Sequence, residues 1–310
     1  MRIAIVGAGA VGGTVGARLA DAGHDVTFVA RGATLEALRT TGLRLDSVDG
    51  DLHLPSVQVT DDPATIGVVD VVLVTVKSTQ VEALAPTLRP LMGAHTAVIP
   101  LQNGVEAGAQ LARVLGSAHV MDGLARVIAE LLGPGHVKHA AVTPVLEFGP
   151  RVEMAPDAPA RAQLAAFADA LTAAGMVAVQ PEHMDRALWE KFLFIEPLGT
   201  VGAATRVSLG AMRTVPETRA LLDACLAEVR AVALAAGVML GDDAVARTWK
   251  RYDTLPADTF ASMQRDLMAG RPSEFELQTG SVVRLARALG VATPAHDVLY
   301  AVLLPGTRRT

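Results

Sequence analysis

A chain of 310 residues that is 51% hydrophobic, 19% charged and 4% aromatic is long enough to bury two cores, and it reads as a globular protein of two domains. A net charge of −5 without a cluster of lysine or arginine excludes a nucleic-acid binder, whose phosphates demand a basic face. Apolar runs break at Gly, Pro or charge well short of the roughly 20 residues of a membrane span, Met1 leads straight into a strand pattern with no room for a signal peptide, and the single cysteine, Cys225, forbids an internal disulfide. A cytoplasmic protein with that cysteine buried is therefore expected.

Up to about residue 181, short apolar strands alternate with helical stretches. Strands are predicted at residues 2–6, 25–30, 69–76 and 97–101, with a weaker set within 118–127, 136–141, 145–149 and 176–179. Val- and Ile-rich runs bounded by Gly predict a parallel sheet covered on both faces, an α/β doubly wound Rossmann domain over residues 1–181. Residues 43–60 differ, since short alternating strands around Asp49-Gly50-Asp51 predict an inserted hairpin. Beyond Pro181 strand signals vanish, and helical spacing marks residues 185–194, 216–236, 260–268, 274–289 and 295–303, with Gly237 and Gly290 in stop positions. Residues 182–310 are thus expected to form an all-helical domain. The apolar helix at 216–236 reads as core, with a homodimer interface as its alternative.

Gly7-Ala8-Gly9-Ala10-Val11-Gly12 follows the first strand and opens a helix, the context in which GxGxxG signifies dinucleotide binding. Gly7 allows the tight turn, Gly9 lets backbone approach a pyrophosphate, and Gly12 lets the helix pack closely on the strand. The second strand ends in Phe28-Val29-Ala30-Arg31. A carboxylate there would bind a free ribose 2′-hydroxyl; an arginine suits a 2′-phosphate, so NADPH is the expected cofactor. Lys77 with Gln80 and Asn103 follow the third and fourth core strands, where carboxyl ends should face the ligand crevice.

Only four lysines stand among 27 basic residues. Lys191, in Leu188-Trp189-Glu190-Lys191-Phe192-Leu193-Phe194, has apolar neighbours that would desolvate its ammonium and suit it to general acid work; the alternative is a stem lying along the core with its head in water. Ser273-Glu274-Phe275-Glu276 has the form of a capping box using Ser273 and Glu276, which leaves Glu274 at the first helical position for a substrate hydroxyl or for orienting a lysine. The eight histidines are scattered, and His136-Val137-Lys138-His139 lacks a third ligand, so no metal is expected.

Taken in order, Gly7, Gly9, Gly12, Arg31, Lys77 with Gln80, Gln102-Asn103-Gly104, Trp189-x-Lys191, Ser262-Met263 and Ser273-Glu274 resemble the ketopantoate reductase (2-dehydropantoate 2-reductase) family over essentially the whole chain. The resemblance implies that Lys191 protonates the 2-oxo oxygen while NADPH delivers hydride. It implies that Asn103 and Ser262 hold the substrate carboxylate or position Lys191, and that Glu274 anchors the hydroxyl end. Arg31, Lys77 and Gln80 would contact the cofactor, with the substrate in a cleft between the domains. One departure bears on substrate identity. Family members commonly carry asparagines four and eight residues after the lysine; here Ile195 and Gly199 stand there, with Glu196 and Pro197 between them, and a mid-helix proline would remove a backbone bond and bend the segment. A site lacking the partners a hydroxyl needs discriminates poorly for it. The alternatives are a reductase of another 2-oxo acid, a non-catalytic NADPH sensor on the same scaffold, and a β-hydroxyacid dehydrogenase; retention of Lys191 and Glu274 argues against the sensor, and the short chain with its late Ser273-Glu274 argues against the dehydrogenase.

Overall fold

The computed structural model describes residues 1–152 and 157–307, and the chain divides into two compact units. Met1–Gln102 with Ala107–Met184 form the first; Asn103–Glu106 join the residues from Asp185 onward in the second. The first unit opens with β1 (Arg2–Val6), α1 (Ala10–Asp21), β2 (Asp25–Val29) and α2 (Gly32–Thr40). It continues through β3 (Leu43–Ser47), β4 (Leu52–Leu54), β5 (Gln58–Thr60), β6 (Val71–Val74), α3 (Val81–Leu84) and β7 (Ala97–Pro100). Its remaining elements are α4 (Ala107–Leu115), β8 (Met121–Arg126), β9 (Ala129–Gly133), β10 (His136–His139), β11 (Val145–Pro150), α5 (Ala158–Ala173) and β12 (Val177–Val179).

The main sheet is parallel in the order β5-β2-β1-β6-β7. Its central strands are apolar on both sides, and β6 and β7 are buried throughout. Ile3 and Ile5 of β1 join Phe28, Leu73 and Ile99 in a core on one face, and Ala4 and Val6 join Val72, Val74 and Val98 on the other. This is the period of two expected of a strand covered on both faces. Each such Val or Ile stabilises the fold by about 1.5–3 kcal/mol through burial. The chain runs outward from β1 to β2 and β5 on one side, then to β6 and β7 on the other. The carboxyl ends of β1 and β6 therefore flank the topological switch point, where doubly wound folds open a crevice.

The hairpin expected at 43–60 is present as β3 and β4, with Leu43 opposite Leu54, but β5 leaves it to pair in parallel with β2 at the edge of the main sheet. The later strands depart from the all-parallel expectation. β8 runs antiparallel to β11, and β9, which periodicity does not reveal, runs antiparallel to β10, giving two smaller sheets, β4-β3-β10-β9 and β12-β11-β8. Three exposed positions in β9 explain the miss, because an edge strand with water on both sides loses its apolar alternation.

The second unit is helical: α6 (Met184–Thr205), α7 (Leu209–Thr214), α8 (Pro216–Ala235), α9 (Ala244–Thr254), α10 (Ser262–Met268), α11 (Thr279–Leu289) and α12 (Pro294–Thr307). α8 is central to it, with Leu222, Cys225, Leu226, Val229 and Val232 fully buried. The helix expected over 185–194 extends to Thr205 straight through Pro197. Proline opens the backbone ladder of the turn before it, and the Tyr252 hydroxyl donates to the freed region at the Phe194 carbonyl, 2.7 Å away. The expected capping box does not form. Residues 275–277 make a single 3₁₀ turn with Glu274 at its N-cap, and α11 starts only at Thr279. Glu276 is drawn off instead by the Tyr300 hydroxyl at 3.0 Å and by Arg284 at 3.5 Å, so tertiary partners override the local signal. Among the described residues no helix is long and apolar enough to cross a membrane.

Candidate functional site

The first unit carries a cleft of about 530 Å³ at the switch point, lined by Val6, Gly7, Gly9, Ala30, Arg31 and Gln80 among others. Sequence reasoning leads to four of these directly. Gly7 has φ +109°, and a side chain there would meet the backbone nitrogen of Val76 at 2.7 Å, so the turn after β1 admits only glycine. Gly12 is buried in α1; a Cβ on it would collide with the Gly7 carbonyl and the Thr75 hydroxyl, which itself donates to that carbonyl at 2.6 Å. Close packing here seats the helix end directly behind the loop. Gly9, at the N-cap of α1, has nothing within 4 Å of where a Cβ would stand, and no side chain caps the helix. An open, side-chain-free helix N-terminus above a glycine turn fits a pyrophosphate, which backbone N–H groups and the positive helix end would hold.

Ala10 and Val11 form the first turn of α1. Arg31 is exposed at the N-cap of α2 and reaches the cleft with Thr34 beside it. Thr34, Thr79 and Leu131 are lining residues that motif reasoning does not find, since each belongs to an element without a phosphate signature. Lys77 is exposed on the turn after β6 and is not one of the residues lining the cleft.

In the second unit, Lys191 is buried at 8% exposure on α6. Phe194, Ile195 and Leu198 lie three, four and seven residues further on, which sets all four side chains on one face of the helix. The last three wall a cavity of about 210 Å³ together with Asn103, Leu255, Thr259, Phe260, Ser262, Met263 and Gln278. Asn103 Nδ2 donates to Glu274 Oε2 at 3.2 Å, and Gln278 Nε2 donates to the same oxygen at 3.3 Å. Three of the residues expected at a substrate site, Asn103, Ser262 and Ile195, thus meet at one cavity, with Glu274 bonded to its rim. Gly199 does not open on it; Met263 packs into the space beside the glycine. Gln278 is the partner that sequence reasoning misses, and its backbone, with φ −111° and ψ −84°, breaks the chain between the 3₁₀ turn and α11.

Behind the cavity wall lies a buried ionic network. Glu196, fully buried on the opposite side of α6, accepts from Thr200 at 2.5 Å and meets His296 Nε2 at 2.9 Å, while His296 Nδ1 meets Glu228 at 2.6 Å. Burial alone would pull the His296 pKa down, but the two carboxylates outweigh it and hold the imidazole at about 9. Glu228 is held below its ordinary value: burial pushes it up, and hydrogen bonds from His296 and two backbone amides more than compensate. Cys225 is buried beside them, its thiol pushed far up by desolvation and then by Glu196 and Glu228, which makes it inert rather than nucleophilic. Among the described residues no group of three or more His, Cys, Asp or Glu is arranged to hold a metal.

Comparison with known proteins bears on both units. Residues 3–153 match the family model "Ketopantoate reductase PanE/ApbA", and residues 183–305 match its C-terminal counterpart. A 2-dehydropantoate 2-reductase from Mycobacterium tuberculosis (strain CDC 1551 / Oshkosh) is 35% identical over 304 residues, spanning 97% of this chain and 96% of its own. Among solved structures, a PanE/ApbA family ketopantoate reductase from Ralstonia eutropha JMP134 superposes with a TM-score of 0.88 at 32% identity, covering 99% of this chain and 98% of its own. A 2-dehydropantoate 2-reductase from Geobacter metallireducens GS-15 gives 0.89 at 28% identity, over 99% and 100%.

Proposed function

Because the chain belongs to the ketopantoate reductase family of oxidoreductases, in both its N-terminal and C-terminal parts, we propose that it is an NADPH-dependent reductase of branched 2-oxo acids of the 2-dehydropantoate class, with Lys191 as proton donor. The observation that carries this reading is the shared face of α6, on which buried Lys191 precedes the Phe194, Ile195 and Leu198 wall of a cavity that also holds Asn103 and Ser262.

NADPH, when bound, supplies a hydride to the carbonyl carbon of the 2-oxo acid. Gly7, Gly9 and the first turn of α1 hold its pyrophosphate, Arg31 receives the 2′-phosphate as a forked and permanently charged donor, and Gln80 lines the same cleft. Lys191 gives a proton from Nζ to the 2-oxo oxygen, leaving the 2-hydroxy acid, which for 2-dehydropantoate is pantoate. Asn103 and Ser262 supply N–H and O–H donors for the substrate carboxylate. Glu274 accepts from Asn103 and Gln278 and so fixes the amide that faces the cavity. Arg31 favours NADPH over NADH, since removal of the 2′-phosphate removes its charge-assisted partner.

The test is to follow loss of the reduced cofactor's near-ultraviolet absorbance with 2-dehydropantoate and a panel of other 2-oxo acids, using each nicotinamide cofactor in turn. The expected result is turnover with kcat/KM at least about tenfold higher for NADPH than for NADH. Consumption of neither cofactor with any 2-oxo acid would overturn the reading.

A further inference from the structure

Resting on the reading that the second unit's cavity takes the 2-oxo acid, we infer that this cavity is built for an alkyl tail and ranks an apolar branched 2-oxo acid above its hydroxyl-bearing counterpart, with Ile195 as the specificity-determining residue. The cavity is lined by four polar side chains, Asn103, Thr259, Ser262 and Gln278. Three of them already have partners. Asn103 and Gln278 each donate to Glu274 Oε2, and the Thr259 hydroxyl donates to the Pro256 carbonyl at 2.7 Å. The donors that remain, the Ser262 hydroxyl and one N–H on each of the two amides, suit a substrate carboxylate, which accepts at up to about four sites. The rest of the wall is Phe194, Ile195, Leu198, Leu255, Phe260 and Met263. A tail that points into this wall finds methyl, methylene, thioether and ring carbon.

The apolar wall is keyed into the fold. A Cβ at Gly199 would stand 2.8 Å from the terminal methyl of Met263, 3.6 Å from its Cβ and 3.7 Å from the Ala261 Cβ. The missing side chain at 199 is therefore the seat of the Met263 thioether, which is 2% exposed and fills the turn of α6 beyond Ile195. No polar group can enter from position 199 unless Met263 moves. Glu274 has one oxygen shared by the Asn103 and Gln278 amides, which ties it to positioning Asn103. A hydroxyl brought against this wall gives up its water without a replacement, whereas a methyl in its place gains contact. Hydrophobic pockets reject an isostere that adds a hydroxyl only moderately, so the expected discrimination is about 10- to 100-fold in kcat/KM, with both compounds still reduced.

The experiment compares 2-dehydropantoate with its isostere carrying a methyl group in place of the hydroxyl, using the full chain and saturating NADPH. The expected result is a kcat/KM about 10- to 100-fold higher for the isostere. Ile195→Asn should shift that ratio toward 2-dehydropantoate by at least about tenfold while leaving the KM for NADPH unchanged, and the volume-conserving Met263→Leu should keep the ratio. Equal rates for the two acids, or a preference for 2-dehydropantoate in the parent protein, would overturn the inference and leave the reductase reading standing. An unchanged ratio in a folded Ile195→Asn protein would overturn the assignment of Ile195. Reduction of neither acid would overturn the reductase reading and the inference with it.

Discussion

The cleft of the first unit and the cavity of the second are made by different means. The cleft is a backbone device: Gly7, Gly9 and Gly12 act through what they lack, and the charge comes from a helix end and one exposed arginine. The cavity is a side-chain device assembled from residue 103, residues 194–198, residues 255–263 and residue 278, and a buried ionic network stands behind it. A site made of backbone accepts one cofactor shape whatever the neighbouring residues are. One made of side chains is retuned by single substitutions, which is where differences in substrate among relatives should reside.

The contrast can be broken at the network. His296 is fully buried between Glu196 and Glu228, and His296→Leu leaves two buried carboxylates without their cation. The expected loss is about 3–5 kcal/mol of stability, read as a lower denaturation midpoint for the second unit, and a midpoint unchanged from the parent would show that the network is not load-sharing. The same group sets a pH dependence. Its folded pKa of about 9 lies above the value of about 6.5 of a free histidine, so its stabilisation is fully present below about pH 6.5 and is lost as pH rises through about 9. The parent protein should therefore denature more readily at pH 9 than at pH 6.5, and His296→Leu should lack that fall between the two. The smallest effect belongs to the cleft. Arg31→Ala removes one exposed cation and should raise the KM for NADPH by about 10- to 100-fold, with little change for NADH and none in thermal stability.

The same division governs what was legible in the sequence. Local signals dominate the first unit: the glycine spacing, the buried strands and the residue ending β2 are all contiguous, and they give both the parallel sheet and the lining residues Gly7, Gly9, Arg31 and Gln80. Thr34, Thr79 and Leu131 escaped because each reaches the cleft from an element whose own pattern is ordinary. In the second unit Lys191 could be picked out by its apolar neighbours and Met263 by the resemblance, but Gln278 and Phe260 could not, since their place at the cavity is made by packing between segments distant in sequence. Ser273-x-x-Glu276 carries the local signature of a helix start, yet Tyr300 and Arg284 take Glu276 and Asn103 and Gln278 take Glu274, which moves the start of α11 to Thr279. Glu196 looks like a stray charge on an apolar helix until His296, 100 residues away, is beside it.

The most direct test of the account is Lys191→Ala, measured twice: NADPH affinity by fluorescence titration and kcat with the preferred 2-oxo acid. The account predicts unchanged NADPH affinity and a kcat lower by about 10²- to 10⁴-fold, as for a lost general acid. A kcat within a few-fold of the parent, with a folded protein, would contradict the assignment of Lys191 as proton donor.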